Sequence, residues 1–286
     1  MQFASFNLKN LLLLCTLTLF IGLIYITQTP TNQAHQLESA GKFTIEYADI
    51  RQEVYRERQR KFQQLQSFDK LAQKLNQTLV MPEDIKIVLD ECGTVNAYYK
   101  PSEHSIFICH ELIDRFTNVF RKDEQNHQLD NNALPIETKV AQRVAGTVIF
   151  TLFHELGHTL IEELDLPVTG KEEDTVDEFS TIFLSELGEE QAALAAAVQF
   201  GLSGKGEINQ HPQNLPFWAE HSLNYQRFYS IICLVYGKNP EKYADLVAKI
   251  GIPKERQNSC QVDYNKKVKS WRTLLQPHLQ TNASLL

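Results

Sequence analysis

At 286 residues, with 43% hydrophobic and 22% charged side chains, the chain can bury a substantial core and has neither collagen-like nor disordered bias. Its formal net charge of -7 is opposite in sign to a nucleic-acid footprint, so no nucleic-acid partner is expected.

Residues 1–10 carry Lys9 as their only charged side chain and are expected on the cytoplasmic side. Leu11 to Ile26 is an almost continuous apolar run, closed by Asn10 and Thr27. It is long for a signal-peptide core and short of the roughly 20 residues of an ordinary span. No good small-x-small cleavage site follows, so 11–27 reads as a membrane anchor or uncleaved signal, 28–40 as a polar linker, and the remainder as exported. Cysteine usage agrees. Outside Cys15 the chain has Cys92, Cys109, Cys233 and Cys260, an even set suited to an oxidising compartment. Pairing Cys92 with Cys109 and Cys233 with Cys260 closes two short local loops and is the expected connectivity.

Gly41 to Ala48 alternates apolar and polar residues and predicts a strand. Asp49 to Leu79 has near-helical apolar spacing, and its basic patch (Arg51, Arg56, Arg58, Arg60, Lys61) reads as a solvated helix face. Ile85 to Leu89, Asn96 to Tyr99 and Ser105 to Cys109 predict strands, the last two joined by a turn. His110 to Phe120 predicts a short helix and Arg121 to Pro135 a surface loop. A long central helix is expected over Glu137 to Leu164, then a break at Pro167 to Gly170 and a second helix over Lys171 to Phe200. Gly201 to Pro216 reads as a loop, followed by helices over Phe217 to Tyr236, Pro240 to Ile250 and Gln261 to Leu275, with 276–286 as a tail. Strands first and helices later is the pattern of an α+β domain, expected over 41–275.

The central helix carries His154-Glu155-Leu156-Gly157-His158. Histidines four apart share a helix face, so both imidazoles can reach one metal ion, and Glu155 lies about 100° round the helix from His154. This is the HExxH arrangement, with zinc (Zn²⁺) as Lewis acid and the glutamate as general base. The apolar neighbours Phe150, Leu152, Phe153, Leu156, Leu160 and Ile161 point to a buried helix, where polar groups need partners. Catalytic zinc takes three protein ligands. Five acids open the next helix; Glu173 and Asp177 are four apart on one face, so Glu173 is the expected third ligand and Asp177 the partner of a ligand histidine. Asp174 and Glu172 remain alternatives for the ligand.

HELGH followed by a helix with Glu-x-x-x-Asp resembles the gluzincin branch of zinc metallopeptidases. Asn96-Ala97-Tyr98 is similar to the Asn-Ala-aromatic edge strand of thermolysin-like enzymes, which implies that Asn96 and Ala97 hold an extended peptide or protein substrate. The stretch from Gly41 to Leu275 more closely resembles a bacterial family catalogued as "putative metallopeptidases". Its pieces are Cys92 with Asn96 to Tyr99, the Cys109 strand, His154 to His158, Pro167 to Asp177, and Trp218 to Tyr229 with Cys233 and Gly237. The chain departs from the thermolysin pattern in its short gap from His158 to Glu173 and in having no Asn before Glu173. The resemblance implies a zincin-like fold, with a small mixed sheet whose edge strand packs on the active helix. It also implies that His221, from a later helix, steadies the oxyanion; Tyr225, Arg227 and Tyr229 are alternatives, and Arg227 could instead clamp a substrate carboxylate. The expected activity is zinc-dependent peptide hydrolysis outside the cytoplasmic membrane. The rival readings are hydrolysis of a non-peptide amide and a non-catalytic, membrane-anchored binding protein on the same scaffold.

Overall fold

The computed structural model describes residues 40–126, 134–281 and 283; the expected anchor and His127 lie outside the described residues. Four strands form one mixed sheet: β1 (Phe43–Tyr47), β2 (Ile85–Asp90), β3 (Ala97–Lys100) and β4 (Ser105–Cys109). Their order is β1-β2-β4-β3, with β1, β2 and β4 parallel and β3 antiparallel at the edge. The two central strands are near-continuous apolar runs, as strands covered on both faces require. Ile85, Ile87, Leu89, Ile106 and Ile108 are all buried.

Helices α1 (Glu53–Leu65) and α2 (Ser67–Thr78) replace the single helical region expected there, because Gln66 turns the backbone left-handed at φ 50°. Arg58 also departs from the expected solvated face. Its guanidinium donates to the His110 carbonyl at 2.9 Å and pairs with Asp114. Helix α3 (His110–Asn126) starts where β4 ends and runs past Phe120 into the expected loop. Ion pairs of Arg121 with Glu137 and of Arg143 with Asp123 dock that extension on α4 (Ile136–Glu163), the central helix.

The expected helix over Lys171 to Phe200 is two helices, α5 (Glu172–Glu186) and α6 (Glu190–Ile208), parted at Gly188 with φ 78°. The expected loop from Gly201 to Pro216 is helical as far as Ile208 and irregular beyond it, apart from one 3-10 turn at Pro212–Asn214. A Cβ at Gly204 would lie 2.7 Å from the Tyr225 ring, so the glycine is there for close packing of α7 (Asn224–Lys238). Residues 217–223, expected in a helix, precede α7 in non-helical chain. Helices α8 (Ala244–Ile250) and α9 (Lys254–Leu275) complete a mostly helical second half. Disulfides join Cys92 to Cys109, tying the approach to β3 to the end of β4, and Cys233 to Cys260, tying α7 to α9. Residues 276–281 are stitched to the end of α2, with Val80 N–H donating to the His278 carbonyl at 2.8 Å and Gln280 N–H to the Thr78 carbonyl at 2.9 Å.

His110 is fully buried and stacks on Tyr55 at 5.2 Å, and among the described residues neither ring nitrogen has a hydrogen-bond partner. Burial, reinforced by the Arg58 charge, pushes its pKa down to about 4. The unfolded chain therefore binds the proton more readily than the folded one, near the ordinary value of about 6.5. The stabilisation from a neutral His110 is complete above that value and is lost as pH falls from it towards 4. Urea unfolding is expected to show about 2 kcal/mol lost to this residue between pH 7 and pH 5. His110→Leu should flatten the profile by that amount; a wild-type and variant pair with parallel profiles would refute the assignment.

Candidate metal centre

Helix α4 is held in the core by Leu152, Phe153, Leu156 and Leu160, all buried. Their helical phase carries His154 and Glu155 into the interior with them, both 6% exposed. Gly157 sets the distance to the next helix. A Cβ there would meet Val176 Cγ1 at 2.8 Å, so only glycine lets the start of α5 lie over the two histidines.

That approach brings Glu173 between them. Glu173 Oε2 lies 3.0 Å from His154 Nε2, 3.5 Å from His158 Nε2 and 2.8 Å from His221 Nε2. The Nδ1 atoms on the other side of both helix histidines are also engaged, His154 by Asp177 Oδ1 at 2.8 Å and His158 by Glu172 Oε1 at 2.7 Å. Glu172, an alternative ligand from the sequence, thus faces the back of His158. Asp174, the other alternative, accepts the Ser222 hydroxyl at 2.8 Å, which tethers the segment bearing His221.

Asp177 is itself gripped by Arg227, whose Nε donates to Oδ2 at 2.6 Å and Nη2 to Oδ1 at 2.8 Å. The guanidinium lies 3.9 Å from the Phe200 ring centre. Two of the donors that could have clamped a substrate are therefore spent on Asp177, although Arg227 still lines the cleft. Nothing in residue spacing signals this tie. His221 is half-exposed and sits just ahead of α7, not on a helix as expected. Tyr225 packs against Gly204, and Tyr229 lines a separate hollow beside Cys233, so neither reaches the histidines.

Electrostatics of the cluster favour a cation. Burial opposes charge on His154, but the hydrogen bonds its ring donates to Asp177 and Glu173 outweigh it and raise the pKa to about 9. Burial likewise opposes ionisation of Asp177, yet Arg227 and His154 hold it down at about 2. Glu173 is held far below the usual carboxylate range by its three histidines, again against burial. Buried carboxylates concentrated at one point need positive charge among them, and a divalent ion supplies it. Ligand atoms of His154, His158 and Glu173 all lie within 4.8 Å of one another, and each histidine has its other nitrogen fixed by an acid. Donor type and arrangement therefore fit a metal ion.

Glu155 stands beside this point without joining it. Burial pushes its carboxyl up, and the neighbouring His154 and His158 charges and the Tyr99 backbone amide pull against that rise. Tyr99 belongs to β3, whose register fixes what its edge offers. The Cys109 amide donates to the Asn96 carbonyl at 3.2 Å, so Asn96 and every second residue after it face β4. Ala97 and Tyr99 turn their backbone groups to the free edge, above a cleft of about 600 Å³ lined also by Asn96, His154, Glu155 and His221. Glu163 fastens the end of this strand to α4 by bonding both the Tyr99 hydroxyl and His104 Nδ1. His104 had no visible partner in the sequence, because the two are 59 residues apart.

No curated protein and no solved structure matches the chain. Residues 47–275 match the family described as "Putative metallopeptidase", most of the chain including the whole cluster on α4 and α5, and the protein belongs to that family.

Proposed function

We propose that this protein is a zinc-dependent metallopeptidase of zincin-like fold that hydrolyses peptide bonds outside the cytoplasmic membrane. The reading rests on one observation: His154, His158 and Glu173 bring ligand atoms within 4.8 Å of one another while Glu155 lies buried at their side. Two imidazoles and a carboxylate are a zinc set of hydrolytic enzymes, with a coordination position left open. Zinc held there supplies a Lewis acid and lowers the pKa of bound water to about 7.

The chain's own groups do the rest. Glu155 takes a proton from the attacking water and passes it to the leaving amine, and its burial suits it to carry that proton between the two steps. His221 gives up its contact with Glu173 Oε2 to the metal and donates instead to the carbonyl oxygen as it becomes an oxyanion. Ala97, through its amide and carbonyl, and Tyr99, through its carbonyl, pair with an extended peptide, and the Asn96 side chain orients it. Asp177, fixed by Arg227, keeps His154 in one tautomer and one orientation. Two disulfides support an oxidising location. Residues 11–27 would anchor domain 41–275 to the membrane.

Elemental analysis of protein purified without chelator is expected to find about one zinc per chain. Removing the metal with 1,10-phenanthroline should stop cleavage of an unstructured protein such as casein, and added zinc should restore it. A metal-free preparation that cleaves at the full rate would sink the reading.

A further inference from the structure

The cleft beneath β3 has charged groups of opposite sign at its two ends. Glu111 in the first turn of α3 accepts from the Cys92 and Gly93 amides, which sets that helix at the Val95 end of the cleft, where Leu112 and Phe116 line the wall and Arg115 stands exposed. Arg51, Arg58, Arg121, Arg143 and Arg227 each hold a carboxylate. Arg115 holds none, and among the described residues no ring or hydrogen-bond acceptor engages it. The far end, near Pro101, carries Glu162, exposed and likewise without a cation.

We propose that Arg115 selects substrates with a carboxylate on the C-terminal side of the bond to be cut. The inference deepens the peptidase reading and rests on it. The direction is that of antiparallel pairing, and the charges at the two ends agree with it. A peptide added antiparallel to the free edge of β3 runs from the Lys100 end towards Val95, so its C-terminal half lies under Arg115. The charges favour the same polarity, with an amino group towards Glu162 and a carboxylate towards Arg115.

Spacing follows from the helix below. Thr147 and Glu162 line the two ends of the cleft, and Glu155 sits near the middle of that span on α4. At about 1.5 Å per residue each half is roughly 10 Å long, or about three residues of extended chain. The recognised carboxylate therefore lies two or three residues beyond the scissile carbonyl. It is either the free terminus of a short peptide or an acidic side chain within a longer one.

The test uses the zinc-loaded protein and two pools of degenerate hexapeptides, identical except that one ends in a free carboxylate and the other in a carboxamide, with products read by mass spectrometry. The wild type is expected to favour the free-acid pool about tenfold in kcat/KM, the scale of one charge-assisted hydrogen bond. If the source is a side chain, the preference appears instead as Asp or Glu two or three residues after the cut in both pools. Arg115→Gln should bring either ratio to about one, Arg115→Lys should keep most of it, and Arg115→Glu should reverse it. A preference that survives in Arg115→Gln, or wild-type cleavage with no preference, overturns the role of Arg115 alone. Failure of the zinc-loaded wild type to cleave either pool overturns the peptidase reading and this inference with it.

Discussion

Loaded with zinc, Glu155→Gln is expected to retain the ion as the wild type does and lose turnover by about 10³-fold, the usual weight of a positioned general base. The amide is nearly the same size as the carboxyl, so a side chain 6% exposed should fit its place without disturbing α4. What it cannot do is accept a proton. None of the close contacts among His154, His158 and Glu173 uses Glu155, so the grip on the ion is left intact. Elemental analysis and initial rates on one preparation separate the two effects. A variant that holds zinc and stays within tenfold of the wild-type rate would move the base to another acid of the cleft.

Much of the scaffold is legible in the sequence wherever a local period decides it. Alternation at Phe43, Ile45 and Tyr47 gives β1, and the apolar runs at Ile85 and Ser105 give the central strands. The metal-site helix is legible because four-residue spacing has only one geometric meaning on a helix. The same rule places Glu173 and Asp177 on one face of α5, where they meet the front and back of His154. What stays hidden depends on long-range packing. Gly201 and Gly204 read as loop residues by propensity, but their use is to admit Phe228 and Tyr225 of a neighbouring helix. Glu172 sits about 100° from Glu173 round α5 and bonds the back of His158, a partnership that only the angle between the two helices creates. Arg227 is 50 residues from Asp177, and no local pattern could have joined them.

The three consecutive acids that open α5 are expected to separate sharply when changed one at a time to alanine. Glu173→Ala should lower zinc affinity beyond detection by competition with a chromophoric chelator and abolish cleavage, because Glu173 is the one acid of the three whose oxygen faces both helix histidines. Glu172→Ala frees His158 Nδ1, so the ring loses its fixed tautomer and some basicity. Such partners of metal-bound histidines typically contribute 10–100-fold, about that loss in affinity. Asp174→Ala removes only the acceptor of the Ser222 hydroxyl. Its zinc affinity should stay close to wild type while kcat falls, since the loosened segment carries His221. Three neighbours on one helical turn thus predict three different phenotypes: no metal, weaker metal, and full metal with slower chemistry. If Asp174→Ala empties the site while Glu173→Ala retains zinc, the third ligand is wrongly assigned, and the geometry around Glu173 is that of an ordinary ion-pair cluster.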